Sequence, residues 1–246
     1  GAEGVAVPFR VLVAGAAGLV GSAVAKQLLE EGAEVAVVDA LAAEADGRAV
    51  REARLEALRP YPNAKIVTAD LSLPGAAAEV FRDARPGAVV NAALFPPGGP
   101  GLTAILEAAR AHESPFLVHL SDAALYGPPG APGQRALEAE PIDPGRDPVL
   151  LQRMVEESRL CGSDLPWVIL RLFDLLAPGA PPNRFPQSAL ESLLDGEEVV
   201  LLSDEPRDLL HLADAVHGIL AALALRPAGR TINLGSGRGV APSLVL

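Results

Sequence analysis

The chain is poor in lysine, cysteine and aromatic residues. Two of its 246 residues are lysine, Lys26 and Lys65, and two are tyrosine, Tyr61 and Tyr126; cysteine and tryptophan each occur once. A lone Cys161 excludes an intramolecular disulfide and a cysteine-built metal site, so a reducing, cytoplasmic compartment is expected. No apolar run reaches the roughly 18 residues of a membrane span, and the first residues show no basic-then-apolar leader. No His, Asp and Glu residues fall at metal-ligand spacing. Basic charge is outweighed, 20 Lys and Arg against 31 Asp and Glu, for a net charge of −11. That sign does not provide the basic footprint that a nucleic acid or an anionic membrane requires.

What the chain does have is core material. Hydrophobic residues make up 50% of it, and 24 glycines and 23 prolines stay below the share that marks a low-complexity chain. Apolar runs alternate with helical patterns. Strands are expected over 10–14, 34–39, 65–69, 88–92, 116–120, 167–172, 198–202 and 231–234. Helices are expected over 18–31, 48–58, 76–83, 102–112, 149–160, 187–194 and 213–225. This alternation implies an α/β fold, a Rossmann-type doubly wound parallel sheet with a small C-terminal substrate lobe. Residues 1–246 read as one domain, with 9–172 mainly the dinucleotide-binding core and 173–246 mainly the lobe with returning core elements. Ligands of such a sheet sit at the carboxyl ends of its strands. Residues 127–148 are rich in Gly and Pro and lack periodicity, which fits a binding loop or lid, or else a surface insertion.

The first strand runs into Gly15-Ala16-Ala17-Gly18-Leu19-Val20-Gly21 and then into a helix. The first glycine allows a tight turn, the second lets backbone approach a pyrophosphate, and the third lets the helix pack on the sheet. Free N–H groups and the dipole at the helix start favour an anion. Asp39 ends the next strand, where an acid hydrogen-bonds adenosine ribose hydroxyls. An acid there favours NAD/NADH, whereas Arg48, Arg51 and Arg54 can neutralise a 2′-phosphate, so NADP/NADPH stays open. Asp70-Leu71 ends the third strand and either reads adenine or forms a turn. Ala92 and Ala93, after Asn91, are small enough for backbone to line a cofactor.

These features occur together with Leu125-Tyr126-Gly127, Leu170-Arg171, Arg207-Asp208-Leu209-Leu210-His211 and Asn233-Leu234-Gly235-Ser236-Gly237. In this order they resemble the extended short-chain dehydrogenase/reductases, the NAD-dependent sugar epimerases and dehydratases. The resemblance covers nearly the whole chain. It implies cofactor contacts from the glycine turn (Gly15, Ala17, Gly18, Leu19, Val20, Gly21), from Asp39, Asp70, Leu71, Ala92 and Ala93, and from Phe173 after the sixth strand. It also implies a Ser/Thr, Tyr and Lys for proton transfer, with Tyr and Lys four residues apart on the helix after strand five.

That apparatus is altered here. Matching the helix puts Pro148 at the Tyr position and Gln152 at the Lys position, and no lysine follows Lys65. Tyr61 and Lys65 have the right spacing but lie beside Pro62 and Asn63, which break a helix. Asp122 takes the place of the expected serine, with Ser121 beside it. Ser121 and Tyr126 are therefore the candidates for orienting a substrate or relaying a proton, and Gln152 for holding the nicotinamide ribose. His119 reads as packed, and His211 as a helix cap or a cleft residue. Atypical members that reduce aromatic polyketide (angucycline-type) ketones also lack the tyrosine. Their substrate's own phenol can supply the proton. The resemblance to them implies an NAD(P)H-dependent ketoreductase with an aromatic polyketide substrate. A non-catalytic dinucleotide sensor and a sugar-nucleotide epimerase or dehydratase are the alternatives. Relatives often dimerise through the helices at 102–112 and 149–160, both of mixed polarity here, and the oligomeric state is left open.

Overall fold

Strand β1 (Arg10–Ala14) is buried at four of its five residues and β2 (Glu34–Asp39) at five of six. Strands covered on both faces belong at the centre of a parallel sheet. The computed structural model describes residues 9–41, 47–127, 135–180, 185–199, 201 and 203–245. Between β1 and β2 lies α1 (Leu19–Glu30). The chain continues through α2 (Arg48–Glu56), β3 (Ala64–Thr68), α3 (Pro74–Ala84), β4 (Ala88–Asn91), α4 (Thr103–Ala111) and β5 (Phe116–Asp122). A single 3-10 turn (Ala123–Tyr126) precedes α5 (Pro148–Cys161), β6 (Trp167–Leu172), β7 (Asp174–Leu176), α6 (Gln187–Leu194) and β8 (Arg207–His211). Helix α7 (Leu212–Leu225), β9 (Arg230–Leu234), β10 (Gly239–Val240) and a second 3-10 turn (Pro242–Leu244) complete the order.

The main sheet runs β3-β2-β1-β4-β5-β6-β9, and every neighbouring pair is parallel. The order reverses between β1 and β4, the switch point beside which ligands of this fold bind. Side chains alternate between two cores. Val11, Val13, Val37, Val118 and Leu170 pack with Val24, Leu28, Ile219 and Leu223 of α1 and α7. Leu12, Val38, Val89, Leu117 and Ile169 pack with Phe81 of α3, Ile105 of α4 and Leu160 of α5. Local signals set the helix ends. Asp147 caps α5 by accepting the N–H groups of Val149 and Leu150, with Pro148 in the first turn where its missing N–H costs nothing.

Three short strands, and one expected strand that does not form where described, depart from the expected pattern. Strands β7, β8 and β10 form a separate three-stranded sheet, with β8 between the other two. None of them was anticipated. The strand expected at 198–202 does not form at residues 198, 199 or 201; residues 200 and 202 lie outside those described. After α6 the Glu197 N–H instead folds back on the Ser192 carbonyl at 2.8 Å, past Gly196 at φ +75. Among the described residues no helix is long and apolar enough to cross a membrane.

Candidate functional site

At the switch point the β1–α1 turn lies directly against the end of β4. A Cβ on Gly15, at φ +73, would come within 2.6 Å of the Ala93 backbone and 2.7 Å of Ala92. A Cβ on Gly21 would collide with the Gly15 carbonyl oxygen. Only glycine permits either approach. Gly18 is different: its Cβ would meet nothing closer than the Gly15 oxygen at 3.2 Å. Its N–H is spent on that same carbonyl at 3.1 Å, and the first helical bond runs from Ser22 N–H to the Gly18 carbonyl at 2.9 Å. The N–H groups of Leu19, Val20 and Gly21 therefore precede the helical ladder. Among the described residues no side chain caps them, and no acidic residue occupies the first turn. This is an anion-accepting surface. It fits the pyrophosphate of the dinucleotide that the resemblance implies.

Asp39 lies next to this turn. Its Oδ2 accepts the Ala17 N–H at 2.9 Å, and its Oδ1 accepts the Leu41 N–H at 2.8 Å and Nη2 of Arg51 at 2.6 Å. Gly15, Ala17, Gly18, Leu19, Val20, Gly21, Asp39, Ala92 and Ala93 thus occupy one corner of the sheet. Asp70 stands at the carboxyl end of β3, where its Oδ1 accepts the N–H of Ser72 at 2.9 Å and its hydroxyl at 2.7 Å, a local turn. Leu71 is buried in the core.

The end of the sheet at β5 and β6 carries the second group. Ser121 is 5% exposed, and its Oγ has no hydrogen-bond partner among the described residues. Its register partner on β6 is Arg171. The Arg171 guanidinium binds Glu157 through two bonds, 3.0 and 2.6 Å, and lies 4.8 Å from the Tyr126 ring centroid. Tyr126 donates its hydroxyl to Oδ1 of Asn233 at 2.7 Å. Phe173 packs against Gly235, whose Cβ would come within 3.0 Å of its ring. Gln152 is 6% exposed; its Oε1 accepts the Gly98 N–H at 3.3 Å and its Nε2 donates to Oε1 of Glu156 at 3.0 Å. It is packed on the loop after β4 rather than beside the glycine turn.

Helix α5 is turned inside out. It buries Gln152, Arg153, Glu156 and Glu157 while Val149, Leu151 and Val155 stay exposed. The buried side faces Asn91, His119, Ser121 and Arg171 of the sheet, themselves all buried. Arg153 donates to Oε2 of Glu156 at 3.1 Å and to the Ala93 carbonyl at 3.0 Å, tying the helix to the glycine-turn corner. Asn91 Nδ2 stands 2.9 Å from His119 Nδ1, and His119 Nε2 lies 3.7 Å from Glu156. Desolvation lowers His119 to about 3, with the Arg153 charge adding to the shift, so the imidazole is neutral. Desolvation likewise raises Glu156 above the usual carboxylate range, against the pull of Arg153. Sequence reasoning missed this layer. Its signal was present in the polar residues at 152, 153, 156 and 157, which share one helix face.

The remaining candidates are structural. His211 caps α7 by accepting the Ala213 N–H at 3.2 Å. Tyr61 donates to Glu30 at 3.0 Å and Lys65 sits 3.8 Å from Asp83, so these two do not form a working pair. No cluster of three or more His, Cys, Asp or Glu able to hold a metal occurs among the described residues.

The sequence matches the NAD dependent epimerase/dehydratase family over residues 11–101 and 99–235, and the chain belongs to that family. It is 27% identical to UDP-glucose 4-epimerase 4 of Oryza sativa subsp. japonica, over 93% of this chain and 72% of the relative. It is 29% identical to dTDP-6-deoxy-L-talose 4-dehydrogenase (NAD(P)(+)) of Kitasatospora kifunensis, over 94% of this chain and 74% of the relative. The fold superposes on dTDP-glucose 4,6-dehydratase of Bacillus anthracis, solved in complex with NAD. The TM-score is 0.84 at 22% identity, covering 96% of this chain and 78% of that one. The Bordetella bronchiseptica enzyme WbmG, solved with NAD and UDP, gives 0.78 at 25% identity, over 96% and 75%.

Proposed function

We propose that the chain binds NAD(H) or NADP(H) across β1, β2 and β4 and uses it to oxidise or reduce a secondary alcohol or ketone of a sugar nucleotide. The observation that carries this is the uncapped start of α1 behind a turn that only Gly15 and Gly21 allow. Leu19, Val20 and Gly21 hold the pyrophosphate through backbone N–H groups, and Ala92 and Ala93 line its path. When bound, the nicotinamide supplies hydride exchange at its ring. The protein's part is to position the reacting carbon and exclude water. Ser121, whose buried hydroxyl has no partner among the described residues, is the group placed to orient a substrate oxygen once the site opens to it, and Gln152 supports the nicotinamide end through the loop after β4. The named relatives support a sugar nucleotide rather than the aromatic polyketide ketone.

Proton handling differs from the arrangement that the family resemblance implies. Pro148 and Gln152 offer no titratable group, and Tyr126 is held by Asn233. This favours slow redox chemistry, and it also supports a second reading, a sensor that binds the dinucleotide without turnover. The experiment is to follow absorbance at 340 nm with both dinucleotides and, in the same mixtures, to analyse the sugar product by chromatography, because a cycle that oxidises and re-reduces its substrate leaves the dinucleotide and its absorbance unchanged. The substrates are UDP- and dTDP-linked sugars bearing a 4-hydroxyl or 4-keto group, with a hydroxyaryl ketone in a parallel arm. Turnover with a sugar nucleotide supports the main reading. Turnover with the aryl ketone alone restores the ketoreductase. Binding without turnover in any arm gives the sensor.

A further inference from the structure

Ser121 and Arg171 are register partners on β5 and β6, each one residue short of its strand end. Their side chains stand on the face that packs against α5, in step with Leu117 and Ile169. Adjacent strands lie about 4.8 Å apart, so the two residues are close neighbours at the carboxyl edge where ligands of this fold bind. Each keeps one buried donor that nothing among the described residues accepts, the Ser121 hydroxyl and Nη1 of Arg171. The other two arms of Arg171 are spent on Glu157. Burial opposes the Arg171 charge, but Glu157 and Tyr126 more than offset it, so the guanidinium stays charged. His119 Nε2 is the third unpartnered atom of this layer, and it faces Glu156 at 3.7 Å.

The fixed charges of the layer cancel, Arg171 against Glu157 and Arg153 against Glu156. Two spare donors in a layer without net charge suit an oxygen that arrives neutral and gains negative charge during reaction. Resting on the redox reading above, we propose that Nη1 of Arg171 and the Ser121 hydroxyl form a two-donor cradle for the reacting carbonyl oxygen, which makes Arg171 a catalytic residue. Hydride delivered to the carbonyl carbon pushes the C=O π pair onto oxygen, and the cradle holds the resulting alkoxide. The ketone is reduced as the dinucleotide is oxidised, and the alkoxide takes its proton from water when the site opens. The cradle stabilises the charge that a tyrosine would otherwise neutralise with a proton, and burial makes its two hydrogen bonds stronger than they would be in water.

The test compares the full chain with Ser121→Ala and with the double variant Arg171→Met, Glu157→Met, which removes the arm without stranding a carboxylate. The probe is a dTDP-linked 4-keto sugar with NADH or NADPH. Each variant should lose about 10²–10³-fold in kcat, the worth of one such donor. Ser121→Ala should keep the NADH dissociation constant within about threefold. It should also melt no lower than wild type, because its hydroxyl has no bond within the fold to lose. A folded variant of either kind that keeps kcat within about threefold of wild type overturns the cradle and leaves the redox reading standing. A Ser121→Ala melting temperature lower by more than about 4 °C also overturns it, since the hydroxyl would then be bonded inside the fold, to a buried water only. Absence of turnover by folded wild type, with this probe and with the 4-hydroxyl sugars of the assay above, overturns the redox reading and the cradle with it.

Discussion

The hydroxyl of Tyr126 donates to Oδ1 of Asn233 at 2.7 Å, joining the turn after β5 to the end of β9. Asn233 in turn donates its Nδ2 to the Ala136 carbonyl and its backbone N–H to Glu138, both at 2.9 Å, so the same residue docks the loop before α5. Tyr126 is thereby committed to holding the site together. Tyr126→Phe should lower thermal stability by about 1 kcal/mol, the worth of one hydrogen bond. It should lower turnover by less than about tenfold. A loss of about 10² or more, the size of a removed general acid, would make Tyr126 the proton donor.

Two glycines at positive φ separate packing from backbone strain. Gly15→Ala forces a Cβ to within 2.6 Å of the Ala93 backbone, whereas Gly32→Ala, at φ +88, meets nothing within 4 Å. The Gly32 variant should lose about 1 kcal/mol from strain alone, and the Gly15 variant clearly more. Urea unfolding of both against wild type checks the difference.

His119 gives a pH dependence. Its folded pKa, about 3, lies below the ordinary 6.5. The fold therefore favours the neutral ring. The stability this contributes is fully present above pH 6.5 and is lost as pH falls from 6.5 towards 3. Between pH 6.5 and 5, above most carboxylate titration, wild type should lose stability by up to about 1.4 kcal/mol per pH unit from this one proton. His119→Gln should flatten that slope, as read by denaturant unfolding at several pH values.

The Arg171–Glu157 pair is buried, with side chains 7% and 6% exposed. Arg171→Met alone should cost about 3–5 kcal/mol, because it strands a buried carboxylate. Arg171→Met combined with Glu157→Met should cost less than the single change. A chemical-unfolding cycle over the four proteins tests this. Strict additivity would contradict it.

The main sheet was legible because its strands are short, apolar and punctuated. The expected limits match at β2 and β6, and α1, α5 and α7 lie within two residues of their expected ends. Strands β7, β8 and β10 were not legible. They are two to five residues long, carry Asp174, Arg207 and Asp208, and exist only because they pair with one another. The glycine turn could be read from spacing because the geometry it needs depends on glycine itself. The interior of the α5 interface could not. Val149, Leu151 and Val155 look like core residues until the sheet presents Asn91, His119 and Arg171 to the opposite helix face. Asp39 was placed correctly at a strand end, but its occupation by Arg51, twelve residues on, is a tertiary fact.

The most direct test of the account is titration of NADH into wild type and Gly18→Asp. Gly18 is the N-cap of α1 at φ −70, and it lacks a capping side chain. Aspartate there suits the conformation and the helix dipole, while its Cβ would press on the Gly15 carbonyl oxygen at 3.2 Å, so the folded state of the variant is checked by circular dichroism and thermal unfolding before titration. Its carboxylate would take the N–H groups that the pyrophosphate needs. Saturable one-to-one binding by wild type, weakened by about 10²-fold in a folded Gly18→Asp, is the expected result. Equal affinity in the two proteins would contradict it, and would place any dinucleotide somewhere other than this turn.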